Sequence, residues 1–407
     1  MGKKRAKGRF LASIGGWNIF LLGLVSLLND FSSEMILPIL PLFLASLGAD
    51  GLALGIVGGI MMGAPELFKV FIGYFSDRIK KRRSFIFYGY LFSQLAKFFL
   101  ILAKGAGMVM ACIGFDKLGK GIREAPRDAL ISESLPKEKG KAFGIQRTFD
   151  SAGAVLGNFA VLGLILFFGV SMSEFDLIKK IIILASIIGF ISLIPLLFLK
   201  EKTASKKLKK TLFVSLKELP KPIIHFVLAA GIFALANFSY MFFVLKTTNM
   251  FNSSDEVIPV IPLILYILFN IFYTLSSIPF GKLADKIGKE KIIIAGYLLF
   301  SLICLGFFYF NSLLLYIFLF IAYGLVYAMT VGVQRAFVAD LSNEEARATS
   351  LGFFQTTIGI CSIIAGIIAG LVYEMNSSYI FIYGFSLSFI SAIVFIFSRL
   401  KFRKVFK

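Results

Sequence analysis

Residues 73–81 read GYFSDRIKK, and residues 281–289 read GKLADKIGK, a related stretch 208 residues later. The same offset places Arg127 on Arg335 and Gly144 on Gly352. Near the start of the chain, residues 30–32 (DFS) match residues 237–239 (NFS) at an offset of 207. Several anchors at one spacing predict an internal repeat, so we expect two related halves.

The composition indicates lipid as the solvent. Hydrophobic residues make up 58% of the 407 positions, charged residues make up 16%, and the mean hydropathy is +0.86. A soluble globular protein is typically about half apolar and about a quarter charged. The excess of apolar residues therefore predicts an integral membrane protein.

Segments of roughly 20 mostly apolar residues are long enough to cross a bilayer. Twelve such spans are predicted, and we number them 1 to 12. They lie near residues 17–47, 52–76, 84–103, 107–130, 141–169, 175–199, 222–249, 257–284, 291–310, 312–338, 346–373 and 377–399. We expect an all-α fold of two six-helix bundles, residues 1–199 and 222–407, joined by a basic cytoplasmic linker over residues 200–221.

The loops are asymmetric in charge. Basic residues gather at both ends and in the even-numbered loops, for example KKRR at 80–83 and KK at 206–207, while the odd-numbered loops carry mainly acids. The positive-inside rule therefore predicts cytoplasmic termini in a multi-pass protein of the cell membrane. The formal charge of +20 then belongs to the cytoplasmic face, which argues against a nucleic-acid partner.

Metal chemistry and enzymatic catalysis find little support in the sequence. The three cysteines, Cys112, Cys304 and Cys361, have no paired spacing, and His225 is the one histidine. No nucleotide-binding loop or nucleophile–base set is recognisable. We expect neither a metal, a cofactor nor an enzyme activity.

The repeated loop stretch resembles the loop signature of the major facilitator superfamily, Gly-x-x-x-Asp-(Arg/Lys)-x-x-(Lys/Arg). The residues that carry it are Gly73, Asp77, Arg78 and Lys81 in the first copy and Gly281, Asp285 and Lys286 in the second. Lys80 departs from the pattern, which has glycine there, whereas Gly288 keeps it. The resemblance implies a transporter that works by alternating access, with these loops acting as a conformational latch.

Charges inside spans are costly and often functional, and here most lie in the first half. Asp30 and Glu34 share one face of span 1, four residues apart. Two neighbouring carboxylates in a medium of low dielectric constant cannot both ionise cheaply, which suits a proton carrier or a cation site. This stretch, with Pro38 and Pro41, resembles the first helix of drug antiporters. Alternatively, a basic residue of the same half (Lys69, Lys97 or Arg147) neutralises one carboxylate as a structural pair.

Spans 2 and 4 carry further charges with two open interpretations. Glu66 and Lys69 are three residues apart and can pair on one face of span 2. In span 4, oppositely charged residues recur four apart, and Arg123 and Arg127 form a second row. These rows either satisfy one another or contact substrate and protons.

Span 5 resembles the antiporter motif of the superfamily. Gly144, Gly153 and Gly157 match its glycines, but Asn158 stands where the motif continues with proline. Arg147 and Asp150, three residues apart on this span, can hold or exchange a proton. The resemblance implies antiport.

The leading interpretation is proton-coupled export of a small amphipathic or cationic compound by a monomeric transporter. Its partners are then the substrate, protons and the lipid bilayer. The coupling residues are expected to be Asp30, Glu34, Glu66, Lys97, Arg123, Arg127, Arg147 and Asp150. One alternative is a symporter or exchanger of an organic anion that uses the basic cluster of span 4. Another is a membrane receptor without transport activity, although no predicted loop is long enough to form a separate domain.

Overall fold

The structure is a computed structural model that describes residues 14–79, 81–135, 139–168, 172–200, 219–251, 260–342 and 347–402. Within these ranges it does not describe the side chains of residues 14, 70, 74, 77, 78, 139–141, 251, 347 and 348. The described chain consists of helices and the turns between them. Most of the linker predicted over 200–221 lies outside these ranges.

The described residues contain twelve spans, as the hydropathy pattern predicts. Ten of the spans are single long helices: Gly51–Ile79, Arg82–Leu100, Ala106–Ser134, Lys139–Phe168, Glu174–Ile191, Val260–Ile287, Lys289–Tyr309, Leu313–Asp340, Arg347–Met375 and Tyr379–Lys401, which are spans 2 to 6 and 8 to 12. In the described ranges, ten spans are long and apolar enough to cross a membrane by composition alone. The two others, spans 3 and 4, carry buried charges that lower their hydropathy.

Span 1 is interrupted at its prolines. Its first helix, Ile14–Ile36, is followed by a 3-10 turn, Leu37–Ile39, and a short helix, Leu40–Ser46. Pro38 has no backbone N–H, so it cannot donate to the carbonyl of Glu34, four residues earlier. The interruption therefore begins one turn after Glu34.

Span 7 is also interrupted. Its helices Lys221–Ala236 and Tyr240–Phe251 are separated by residues 237–239. Tyr383 of span 12 donates its hydroxyl to the carbonyl oxygen of Leu235 at 2.7 Å. This bond satisfies a carbonyl oxygen that has no backbone N–H donor, because the first helix ends there.

The described helices form two compact units. The first contains spans 1, 3, 4, 5 and 6 together with span 2 from Phe68 onward. The second contains spans 7 to 12 together with Gly48–Leu67 of span 2. Span 2 thus contributes to both units, and the division falls two residues after Pro65, which lies inside the helix.

The first unit packs span 1 against span 5 and span 3 against span 4. The buried residues of its core are mainly aliphatic and include the ring of Tyr90. Examples that are almost fully buried are Ile19, Leu22, Ile86 and Leu130. Spans 1 and 5 approach each other very closely at two glycines. A Cβ at Gly153 would collide with the backbone carbonyl of Leu27, and a Cβ at Gly157 would collide with that of Phe31. Small residues allow such contact between membrane helices.

The second unit has an aromatic core. Phe233 of span 7 stacks on Tyr297 of span 9 with ring centroids 4.1 Å apart. Phe243 lies 4.8 Å from Tyr323 and 4.9 Å from Phe307. Such ring pairs add directional contacts to ordinary apolar burial. The polar groups here are mostly hydroxyls bonded within the unit, as with Gln334 Nε2 donating to the Tyr297 hydroxyl at 2.9 Å.

Candidate functional site

Glu34 lies in the first unit where span 1 is interrupted, and span 5 covers it. Asn158 Nδ2 donates to Glu34 Oε2 at 3.3 Å and to the carbonyl of Ala154 at 2.9 Å. A Cβ at Gly157 would lie 3.1 Å from the Cβ of Glu34. The carboxylate is therefore held by an uncharged amide, close to glycine backbone.

Asp30, one turn earlier, is also held by amides. Asn29 Nδ2 donates to Asp30 Oδ1 at 3.1 Å, and Gln94 Nε2 of span 3 donates to Asn29 Oδ1 at 3.0 Å. Gln94 is fully buried, and its own Oε1 has no hydrogen-bond partner among the described residues. A relay of two amides thus connects span 3 to Asp30.

The lysines proposed as neutralising partners make their close contacts with other residues. Lys97 is buried, and its Nζ donates to the hydroxyl of Ser32 at 2.9 Å. Lys69 Nζ lies 2.6 Å from Glu124 Oε2, an ion pair between spans 2 and 4. The hydrogen bonds of Asp30 and Glu34 thus come from amides, and not from these two lysines.

Asp150 belongs to a second polar group on span 5. Gln146 Nε2 donates to Asp150 Oδ1 at 3.0 Å and makes a short contact with Ser26 Oγ. Ser26 also lies 3.3 Å from the Tyr90 hydroxyl. Arg147 is an exposed residue on the same span.

The arginines of span 4 are engaged by protein groups. Arg123 is buried, donates to Ser93 Oγ at 2.5 Å and lies over the ring of Tyr90, 4.4 Å from its centroid. Arg127 donates to Asp128 Oδ1 at 3.2 Å. Together with a 3.7 Å contact between Lys120 and Glu124, these bonds support the interpretation that the charged rows partly satisfy one another.

Glu66 belongs to the second unit, whereas the other coupling candidates belong to the first. Its Oε1 lies 2.8 Å from Arg335 Nη2 of span 10. The ion pairs of Glu66 with Arg335 and of Lys69 with Glu124 each join span 2 to another span, and the pairing expected between Glu66 and Lys69 stays a prediction. Helical spacing alone did not predict these two contacts, because their partners lie far away in the sequence.

The second copy of the loop motif forms an ion-pair cluster. Lys289 Nζ lies 2.8 Å from Asp285 Oδ1 and 2.8 Å from Asp340 Oδ2 at the end of span 10. Gly288 has φ +107°, a conformation that residues with side chains rarely adopt, which explains glycine between the two helices. Gly281 has no neighbour within 4 Å of a built Cβ, and Lys286 is exposed.

The first copy is described only in part. A Cβ at Gly73 would lie 3.3 Å from the Cβ of Ala125, so spans 2 and 4 are close there. Lys81 is exposed, directly before the helix of span 3. The side chains of Asp77 and Arg78 lie outside the described part of the structure.

The antiporter-like glycines differ from one another. Gly153 and Gly157 lie against span 1, while Gly144 has no neighbour within 4 Å of a built Cβ.

Sequence reasoning missed the role of the uncharged residues Asn29, Gln146 and Asn158, which donate to the carboxylates, and of Gln94, which donates to Asn29. The sequence could have indicated these residues, because burying a side-chain amide inside an apolar span costs free energy unless the amide is hydrogen-bonded.

Residues able to ligate a metal are dispersed in the described part of the chain, where no group of three or more His, Cys, Asp or Glu could hold an ion. The cysteines are free, with Cys112 and Cys304 buried and Cys361 half-buried.

Comparisons with known proteins give the family. The model of the Major Facilitator Superfamily matches residues 22–265 and 226–406. An uncharacterized MFS-type transporter of Methanocaldococcus jannaschii is 45% identical over 381 residues, covering 93% of this chain and 94% of the relative. The multidrug resistance protein MdtG of Escherichia fergusonii is 27% identical over 71% of each chain, and multidrug resistance protein 2 of Bacillus subtilis is 25% identical over 86% of this chain and 87% of its own.

Solved structures show the same fold. A point mutant of the nucleoside transporter NupG superposes with a TM-score of 0.78 at 16% identity, covering 93% of this chain and 99% of its own. The POT family transporter PepTSo has a TM-score of 0.74 at 12% identity, covering 95% and 98%. The predicted twelve-helix fold is confirmed, and the family consists of transporters and not enzymes. This chain therefore belongs to the Major Facilitator Superfamily and is a multi-pass secondary transporter of the membrane.

Proposed function

We propose that the transporter exports a small amphipathic or cationic compound in exchange for protons, with Glu34 as the main proton carrier and Asp30 as its partner. The observation that carries the proposal is the bonding of these two carboxylates. Their hydrogen bonds come from Asn158 and Asn29, which are uncharged.

The uncharged partners matter for proton exchange. If a buried carboxylate is held by a lysine or arginine, protonating it leaves the cation unpaired, which costs several kcal/mol, about 3–5 for a broken buried pair. An amide leaves no charge behind when Glu34 becomes neutral. Glu34 can therefore gain and lose a proton without disrupting an ion pair.

The interruption of span 1 supports the same residue. Pro38 cannot bond to the carbonyl of Glu34, so the backbone beside the carboxylate lacks one helical constraint. A weakened helix of this kind lets the side chain change its surroundings during alternating access. Asp150, held by Gln146, is the competing candidate on span 5.

The export direction rests on resemblance. The glycines of span 5 follow the antiporter pattern, and two distant relatives are named multidrug resistance proteins. We propose cytoplasmic termini, a cytoplasmic linker over residues 200–221 and a monomer of two six-helix halves, with the loop motifs acting as latches. The substrate would then leave the cell as protons enter.

The organic-anion alternative is weaker at span 4. Arg123 is occupied by Ser93 and the Tyr90 ring, and Arg127 by Asp128. An anion binding there would have to displace these protein groups. The basic residues of span 4 are therefore better explained as supports for the helices around the carboxylates.

The test is transport in proteoliposomes with an imposed pH gradient. We expect tetraphenylphosphonium or ethidium to move against its own gradient in exchange for protons, and collapse of the pH gradient to stop this movement. Uptake that is unaffected by the collapse but follows a sodium gradient would contradict proton coupling. Transport of benzoate with neither cation moving would instead favour the organic-anion alternative.

A further inference from the structure

A basic cluster lies where span 7 begins and span 12 ends. Lys221 is the first residue of the span 7 helix, and Lys401 is the last residue of the span 12 helix. Both lysines are exposed, and His225, one turn after Lys221, is half-buried. The ends of membrane-spanning helices lie at the level of the lipid headgroups. We refer to these three residues as the Lys401 cluster.

The hydrogen bonds of His225 hold the ammonium group of Lys401 beside span 7. His225 Nδ1 lies 2.9 Å from the carbonyl oxygen of Lys221, which can only accept, so we assign the ring proton to Nδ1. Nε2 of the neutral ring is then an acceptor, and Lys401 Nζ lies 3.5 Å from it. The ring of Phe402 packs edge-on against His225, with centroids 4.9 Å apart. An uncharged ring thus holds the ammonium group.

The positive charge of the cluster is not balanced in the described part of the chain. Arg399, two residues before Lys401, lies 3.5 Å from Glu290 Oε1 of span 9. Neither Lys221 nor Lys401 forms an ion pair with a described carboxylate. The sequence after Phe402 reads RKVFK and adds further basic residues without an acid. The cluster therefore carries a surplus positive charge at the edge of the bilayer.

Towards the middle of both helices, the cluster continues into an apolar strip that faces lipid. Leu228 follows His225 by three residues and is 59% exposed, and Phe397 precedes Lys401 by four residues and is 67% exposed. Residues three or four apart lie on one face of a helix, so each apolar residue shares a face with a basic one. The contact between His225 and Lys401 brings these two faces side by side.

A basic cluster at the end of an apolar strip has the chemistry that recognises an anionic phospholipid. The phosphate would accept charge-assisted hydrogen bonds from ammonium groups, and the acyl chains would cover the strip. We propose that the Lys401 cluster binds the headgroup phosphate of an anionic phospholipid, with Lys401 as its main counter-ion and Lys221 as the second.

The site uses none of the residues assigned to proton coupling or to the loop motifs. The inference also requires neither export nor a particular orientation in the membrane. It can therefore be tested without measuring transport, and its failure would leave the proposed function unaffected.

Lipid binding to the purified protein tests the inference. Protein delipidated in a neutral detergent is titrated with dioleoylphosphatidylglycerol or dioleoylphosphatidylcholine, and native mass spectrometry counts the bound lipids. We expect the first phosphatidylglycerol to bind about fivefold more tightly than the first phosphatidylcholine, because an interfacial lysine contributes about 1 kcal/mol towards an anionic lipid. Inorganic phosphate at equal concentration should not displace it, since the strip also binds the acyl chains.

Lysine variants assign the binding to the cluster. Lys401→Met should weaken phosphatidylglycerol binding about fivefold and leave phosphatidylcholine binding unchanged, whereas Lys401→Arg should retain both. Lys291→Met is the matched control, because Lys291 is an exposed lysine in the first turn of span 9. The pair of Glu290 with Arg399 places that turn at the same end of the second unit. Phosphatidylglycerol binding by Lys291→Met should equal that of the parent.

Three results would overturn the inference. The first is equal binding of the two lipids by the parent protein, a comparison that does not depend on the folding of any variant. The second is an equal loss of binding in Lys401→Met and Lys291→Met, which would indicate attraction to surface charge in general. The third is displacement of the lipid by inorganic phosphate, which would indicate a phosphate site that does not use acyl chains.

Discussion

Asn158 Nδ2 donates to Glu34 Oε2 over 3.3 Å, so an uncharged amide on span 5 holds the carboxylate at the interruption of span 1. The contact lies where Gly157 brings the two helices together. It connects the antiporter-like stretch of span 5 to the carboxylate that we propose as proton carrier. Both halves of this contact can be tested separately.

Glu34→Gln should abolish proton-driven accumulation while sparing substrate binding and exchange without a gradient. Glutamine imitates the protonated carboxyl group but cannot release a proton. The measurement is transport into proteoliposomes with and without a pH gradient, alongside substrate-for-substrate exchange.

Asp150→Asn is the matched variant, since this carboxylate is also held by an amide. Normal uphill transport by Glu34→Gln, together with its loss in Asp150→Asn, would move the coupling site from span 1 to span 5.

Asn158→Ala should change the protonation equilibrium of Glu34 and slow proton-driven transport. A hydrogen bond to a charged group contributes about 1.5–3 kcal/mol, which corresponds to a factor of about 10–100 in that equilibrium. Uphill transport should therefore fall roughly tenfold or more at an unchanged pH gradient.

Exchange without a gradient is the control for Asn158→Ala, and it should be much less affected. If both rates fall together, the amide supports the packing of span 5 and does not tune Glu34.

Gly157→Val should destabilise the first unit. A Cβ at this position would collide with the carbonyl of Phe31, and overpacking of this kind costs about 1–3 kcal/mol. Thermal unfolding in detergent should occur several degrees lower than in the parent.

Gly144→Ala provides the comparison, because nothing lies within 4 Å of a Cβ built there. It should unfold at the same temperature as the parent or slightly higher, since alanine favours helix over glycine by roughly 0.5–1 kcal/mol. Equal losses in both variants would contradict the close packing of spans 1 and 5.

Asp77→Asn and Asp285→Asn should slow transport with little loss of stability. The Asp285 side chain is 69% exposed, and exposed ion pairs contribute only about 0–1 kcal/mol. If the motif biases one conformation, removing the charge alters rates and leaves the helices folded. Parental transport rates in both variants would refute a latch.

The proposed orientation predicts where a cysteine at position 206 can be reached. In a variant lacking the native cysteines, Lys206→Cys should resist impermeant maleimide added to intact cells and react after lysis. A cysteine at Lys104, in an odd-numbered loop, should show the opposite pattern. Labelling of position 206 from outside would reverse the topology.

The sequence by itself predicted the number of helices, because a bilayer requires apolar stretches of a known length. It also located the internal repeat and the membrane-embedded charges, since both are visible as residue patterns. The family follows from the two loop stretches at 73–81 and 281–289. These features depend on local composition or spacing and need no knowledge of neighbours.

Tertiary structure decided which of the charged groups meet. Helical spacing identified Glu66 and Lys69 as possible partners of each other, whereas it could not predict that Glu66 contacts Arg335 and that Lys69 contacts Glu124, because these residues are distant in sequence. The same holds for Asn158, whose distance from Glu34 follows from the close packing of two glycines against span 1. Periodicity assigns a side chain to a face of its helix, whereas the partner depends on which helix covers that face.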